Sequence, residues 1–305
     1  MKFGCSLIVR GQHATPENIL TLAKQAETWG FDSLWASDHI IIPPLQTSRY
    51  PGSATGQFPD IWLQRYFEPL AILNYVAGCT KQILLGTSVL ILPMRNPLEV
   101  AKEIAGADVL SQGRIRFGVG VGWFKEEFDA LREPFHERGR RADEYLQICQ
   151  TLWTQEPATF EGQYYQFRQA HFGPKPFQKP HPPILIAGHS PAALRRAARF
   201  GNGWHPFALT PDALAPIVPQ FHAAVKAAGR ELAEFEVSIK VRLRFGEGPE
   251  PQPPLHGSPA DIIASLERYR LLGVQHVVLD FSPETIGNAL ATLERFVREV
   301  RPALR

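Results

Sequence analysis

A (β/α)8 barrel, the TIM-barrel class of α/β fold, is what this sequence predicts. Three features predict it: eight short apolar runs, helix starts marked by a hydroxyl or amide before proline, and a length of 305 residues. The runs cover residues 3–9, 31–36, 83–92, 115–121, 183–187, 203–207, 235–243 and 274–281. Most are continuous rather than alternating, which suits parallel strands covered on both faces. Between them, apolar residues three and four apart mark helices, as at Leu20, Ala23 and Ala26, and at Ile262, Leu266 and Tyr269. Thr15-Pro16, Asn96-Pro97, Ser190-Pro191, Thr210-Pro211, Ser258-Pro259 and Ser282-Pro283 each place an N-cap side chain before a proline at the first helical position. Gly30 and Gly273 fall just past two helix ends, where a left-handed residue is wanted.

Strand-helix alternation makes a parallel sheet, and eight strands over this length favour closure over a doubly wound sheet. Gly118-Val119-Gly120-Val121-Gly122 ends the fourth run rather than the first, so it is not read as a dinucleotide fingerprint. The chain is expected to form one domain over residues 1–305, with an insertion after the fourth β/α unit. Two segments exceed a minimal barrel. Residues 39–65 form a Pro/Gly/Ser-rich loop after the second strand and should hang over the strand ends. Residues 154–182 hold a hairpin around 160–167 and then a proline-rich stretch. Both are expected to shape substrate choice.

A net charge of +2 gives no basic surface for nucleic acid or an anionic membrane. The longest apolar stretches are too short to span a bilayer. Cys5, Cys79 and Cys149 are scattered and odd in number, which is neither a disulfide framework nor a metal spacing. No signal-type segment opens the chain, so a cytoplasmic location is expected.

Candidate chemistry collects at the carboxyl ends of the strands. His39 closes the second run, where an imidazole can exchange a proton, contact a cofactor or simply be a satisfied structural histidine. Gly118, Gly120 and Gly122 clear one rim for a flat ligand, unless they serve tight barrel packing. Gly188-His189-Ser190 opens a capped helix and can take a phosphate on free N–H groups, or be only an N-cap. Trp204 and His205 are expected at the rim of the sixth run. Asp38 and Asp280 are the only carboxylates expected at strand ends, which disfavours glycosidase-type acid pairs. No hydrolase, zinc or Walker signature is present and no metal is expected. A site poor in acids and rich in glycine and aromatic residues points to a cofactor carrying the chemistry.

At these residues the chain resembles the luciferase-like flavin and deazaflavin oxidoreductases, and within them the branch that uses coenzyme F420. Trp35-Ala36-Ser37-Asp38-His39, Leu85-Gly86-Thr87-Ser88-Val89, Arg95-Asn96-Pro97, Leu110-Ser111-Gln112-Gly113-Arg114, Gly118 to Trp123 and Ala198 to Trp204 carry the resemblance, in the family's order. It implies a bacterial luciferase-like barrel, a homodimer, a flavin-like ring in the mouth and a small organic substrate. It also implies His39 beside the ring or substrate as the catalytic residue, and a cis peptide at Ser88-Val89. Asp38, Ser88, Val89, Gly120, Gly122, Gly188, His189, Ser190 and Trp204 are the residues it places around the cofactor. Adjacent strand residues point opposite ways, so His39 is assigned to the mouth and Asp38 to anchoring a loop or helix. Two departures argue against glucose 6-phosphate. Trp123 stands where the sugar-phosphate dehydrogenases carry a glutamate, and Pro206-Phe207-Ala208-Leu209 where they carry a lysine. The expected activity is hydride transfer with F420. The alternatives are an FMN-dependent monooxygenase using oxygen, and a barrel that binds flavin without catalysis.

Overall fold

The computed structural model describes residues 1–44, 47–51, 56–59, 65–248, 252–281 and 285–304. The barrel's first half is built from β1 (Lys2–Ser6), α1 (Pro16–Thr28), β2 (Ser33–Ala36), α2 (Pro69–Ala77), β3 (Leu84–Thr87), β4 (Leu90–Ile91), α3 (Pro97–Leu110), β5 (Ile115–Gly120), α4 (Lys125–Leu131) and α5 (Arg138–Thr154). A hairpin of β6 (Ala158–Glu161) and β7 (Gln166–Ala170) follows. The second half comprises β8 (Ile184–Ala187), α6 (Pro191–Phe200), β9 (Gly203–His205), α7 (Pro211–Leu214), α8 (Val218–Ala227), β10 (Glu236–Phe245), β11 (Leu255–Gly257), α9 (Pro259–Leu271), β12 (His276–Asp280) and α10 (Ile286–Arg295).

The strands close a ring in the order β10, β12, β1, β2, β3, β5, β8, β9 and back to β10, every pairing parallel. Each of the eight expected runs supplies one stave. The third is split: β3 ends at Thr87, the Ser88-Val89 peptide is cis as expected, and β4 resumes against β5. Helices cover the outside, so Leu34, Val277, Ile239 and Val241 are buried on the outer face of the sheet as well as being hydrogen-bonded in it. The caps form as the dipeptides predict. Thr15, Asn96, Ser190, Thr210 and Ser258 accept from Asn18, Leu98, Ala193, Ala213 and Asp261. Ser282-Pro283 lies outside the described residues; the last helix is capped by Thr285 instead.

Inside the barrel Trp35 fills the space that Gly86 leaves open, since a Cβ there would stand 2.4 Å from the indole. The ring stacks on His205 at 5.0 Å and meets His276 edge-on at 5.7 Å. Below this layer, at the amino ends of the strands, Glu236 pairs with Arg116 at 2.6 Å and Lys2 at 3.1 Å, and accepts from His276 Nδ1 at 3.3 Å.

The insert after the fourth β/α unit forms its hairpin where expected but corrects the role given to it. Glu144 on α5 accepts from the N–H groups of Gln163, Tyr164 and Tyr165, fixing the hairpin to the barrel's flank. Gln178 then bonds Asp108 and the Ile115 carbonyl at the lower end of β5. No residue of 154–182 lines the mouth, so the insert does not shape the substrate site there. The reason is geometric: α5 runs back down the barrel, and a segment leaving its C-terminus starts at the floor.

Candidate functional site

The carboxyl ends of the strands open on a cavity with about 710 Å³ of free space, its solvent-open part included. That is the size range of small-molecule and cofactor sites. All eight staves contribute: Arg10 after β1, His39 after β2, Val89 and Ile91 at the β3–β4 break, Trp123 after β5, Ala187 on β8, His205 on β9, Lys240 on β10 and Asp280 on β12. The described residues of the loop after β2 reach over the mouth and add Tyr50, Pro51 and Phe58.

His39 faces the cavity. Its Nδ1 lies 2.7 Å from the Glu127 carboxylate on α4, and its ring sits edge-on among Phe58, Tyr66, Trp123 and Phe124 at 5.0–6.1 Å. Asp38 turns the other way. Its carboxylate accepts from both terminal Arg95 nitrogens, at 2.6 and 2.8 Å, and from the Ile91 N–H at 2.8 Å, tying β2 to the β4 segment. Asp38 thus anchors the Ile91 segment while the residue itself borders the cavity.

Opposite His39 the wall is polar and buried. Asp280 has Arg10 at 3.5 Å and Lys240 at 3.6 Å, and its Oδ1 has no hydrogen-bond partner among the described residues. Burial would raise the Asp280 pKa, but Lys240, Arg10 and Arg242 outweigh it and hold the carboxyl near about 2. Burial pulls the Lys240 ammonium below its ordinary value, with Asp280 acting against the shift. Arg10 also donates to Ser37 at 2.9 Å, whose hydroxyl meets Tyr66 at 2.7 Å. Burial, then the Lys240 charge, pushes His205 down to about 3, so its ring is neutral. It bridges Ser88 Oγ at 2.8 Å and Ser238 Oγ at 2.7 Å. Ser88 and Val89 both line the cavity.

Two sequence expectations change here. The missing side chains of Gly120 and Gly122 point into protein: a Cβ would lie 2.6 Å from Val89 and 2.7 Å from Phe128, and one on Gly118 would strike the Thr87 carbonyl at 1.9 Å. These glycines let neighbouring staves approach, which is the packing alternative. Trp204 is not at the rim. It is fully buried, leans on Phe221 of α8 at 5.0 Å, and reaches the mouth only by donating to the Gly188 carbonyl at 2.7 Å. Gly188 has a positive φ of 96°, His189 and Ser190 are exposed, and the Ser190 hydroxyl already accepts from Ala193 N as an N-cap.

Sequence reasoning missed Arg10, Tyr66, Glu127 and Lys240. For Lys240 a signal existed: Ser238, Lys240 and Arg242 alternate with Val237, Ile239 and Val241 along one strand, so one face of β10 is polar.

The sequence profile of the luciferase-like monooxygenases matches residues 1–252. An uncharacterised protein of Mycobacterium tuberculosis is 29% identical over 301 residues, covering 98% of this chain and 99% of its own. An F420-dependent glucose-6-phosphate dehydrogenase of Kineococcus radiotolerans is 31% identical over 243 residues, covering 77% of this chain and 66% of its own. The crystal structure of monooxygenase RslO1 from Streptomyces bottropensis superposes with a TM-score of 0.81 at 22% identity over the whole of both chains, a likeness of fold. With the closed parallel barrel, the cis Ser88-Val89 peptide and His39 at the mouth in place, the chain belongs to the luciferase-like monooxygenase family of oxidoreductase enzymes.

Proposed function

We propose that the cavity binds the deazaflavin ring of coenzyme F420 and that the enzyme moves a hydride between that ring and a small organic substrate. One observation carries the cofactor fit: a buried ammonium, Lys240, beside a buried carboxylate, Asp280, whose Oδ1 has no hydrogen bond among the described residues. Flavin and deazaflavin rings end in an imide edge, a carbonyl, an N–H and a carbonyl. Lys240 and Arg10 can donate to the carbonyls, and Asp280 can accept the N–H. Val89, Ile91 and Ala187 supply an apolar wall for the ring, and Gly188-His189-Ser190 at the start of α6 suits the cofactor's phosphate. The bound ring would supply the hydride-accepting or hydride-donating centre. The protein's own part is proton handling and positioning: when an alcohol is oxidised, its hydroxyl proton passes to His39 Nε2, and in the reverse direction it returns from there.

F420 is preferred to FMN because a relative 31% identical over 243 residues is F420-dependent. That relative's substrate is not carried over. Trp123 and Phe207 line the cavity in the segments where a glutamate and a lysine were expected, so aromatic rings meet the substrate there. An FMN-dependent monooxygenase is the second reading, since FMN presents the same imide edge. Titrating the chain with F420 and with FMN, followed by tryptophan emission, separates the two. Tighter binding of F420 is expected. Tighter binding of FMN moves the reading to the monooxygenase, and binding of neither overturns both.

A further inference from the structure

We infer that Glu127 is a positioning residue that sets which nitrogen of His39 carries the proton. The inference rests on the reading of His39 as the group that exchanges a proton at the mouth. Glu127 is contributed by α4 and only 1% of it is exposed. One carboxylate oxygen, Oε2, lies 2.7 Å from His39 Nδ1; the other, Oε1, accepts from Ile40 N at 2.6 Å and Ile41 N at 3.1 Å. An ionised carboxylate can only accept, so Nδ1 must hold a proton. The four aromatic rings packed around the imidazole fix its plane. Nε2, which has no hydrogen-bond partner among the described residues, is thereby left to the substrate as the nitrogen that gains or loses the working proton.

The neighbouring acid strengthens the reading that this helix turn serves the active-site loop. Glu126 Oε1 accepts from Thr47 Oγ1 at 2.6 Å and Ser48 N at 3.0 Å, and the Lys125 N–H donates to Ser48 Oγ at 3.1 Å. Glu127 thus holds the loop's beginning and Glu126 its middle, while only Glu127 touches the histidine.

The decisive substitution is Glu127→Gln, which keeps the shape but halves the acceptors. A glutamine has one oxygen and one NH2 group. With its oxygen toward Ile40 and Ile41 it satisfies two backbone donors, and its NH2 then faces His39 Nδ1 and donates to it. The opposite orientation leaves two backbone N–H groups facing donors. The first is favoured, and it forces the proton from Nδ1 to Nε2. The neutral imidazole then cannot accept a proton from substrate, and turnover should fall by about 10²–10⁴-fold.

The test is long-range proton–nitrogen NMR on the full chain carrying nitrogen-labelled histidine, at alkaline pH where imidazoles are neutral. His39 is assigned by its loss in His39→Gln. The unsubstituted protein should show Nδ1 as the protonated, pyrrole-type nitrogen. Glu127→Gln should exchange the two nitrogen types, and Glu127→Asp should restore the original pattern. A pyridine-type Nδ1 in the unsubstituted protein overturns the inference without any variant, and so does an unchanged pattern in a folded Glu127→Gln. The measurement needs no cofactor. A chain that fails to bind F420 yet shows the expected tautomers therefore loses the proposed function and keeps the role of Glu127.

Discussion

At the floor of the barrel Glu236 holds Arg116 at 2.6 Å, Lys2 at 3.1 Å and His276 at 3.3 Å, and His276 Nε2 continues to Ser33 at 2.7 Å. At the mouth Asp280 keeps Arg10 and Lys240 at 3.5 and 3.6 Å, and its Oδ1 has no hydrogen bond among the described residues. Both clusters place one carboxylate among several cations inside the same ring of strands. The floor is closed on itself apart from Arg116 Nε, while the mouth leaves a gap between donor and acceptor beside a cavity. The difference teaches where the fold stores stability and where it holds capacity for a ligand. A buried ionic group that is fully bonded resists change, and one that is incompletely bonded is completed by something else. On the proposed function, these two carboxylates divide the barrel into a stabilising floor and a ligand-binding mouth.

Substitution should separate the two ends. The largest effect on stability is expected from Glu236→Gln, which strands the buried charge of Arg116. A loss of roughly 3 kcal/mol, read as a Tm lower by several degrees, should leave F420 affinity unchanged in the folded fraction. The same variant has a pH signature. Burial opposes ionisation of Glu236, but the hydrogen bond from His276 and the Arg116 charge dominate, so its folded pKa lies below the ordinary 4.5. A depressed acid stabilises the fold above its unfolded pKa and loses that contribution as pH falls below it. Tm should therefore fall less steeply below about pH 4.5 in the variant than in the parent. At the mouth Lys240→Met should do the reverse. Asp280 retains Arg10, the cost of a buried ammonium disappears, and Tm should hold or rise. F420 affinity should drop about 10–100-fold for the lost charge-assisted bond. A Lys240→Met protein that is less stable but binds as before would make the mouth cluster a structural twin of the floor.

How far the sequence reached follows the range of each signal. Strands and caps were legible because their cause is local: a continuous apolar run, or a hydroxyl beside a proline. His39 and Asp280 were legible because each closes a strand, whereas the Ser88-Val89 break lies inside the third run and was legible only through the family resemblance. Glu127 was not, since its partner lies 88 residues away and nothing in its own helix marks it. Trp204 was misplaced although the remedy was local. His205 next to it points inward, and alternation sends Trp204 outward onto α8. The Gly118–Gly122 stretch misled for another reason: an absent side chain does not say whether a ligand or a neighbouring strand occupies its place, and here Thr87, Val89 and Phe128 do.

In the proposed function a deazaflavin ring completes the open cluster at the mouth. A crystal structure of the F420 complex tests it most directly. The ring should lie in the cavity against Val89, with its imide edge at Lys240 and Asp280 and His39 Nε2 free toward the substrate side. A ring bound with that edge away from Lys240 and Asp280, or F420 bound outside the barrel mouth, would contradict it.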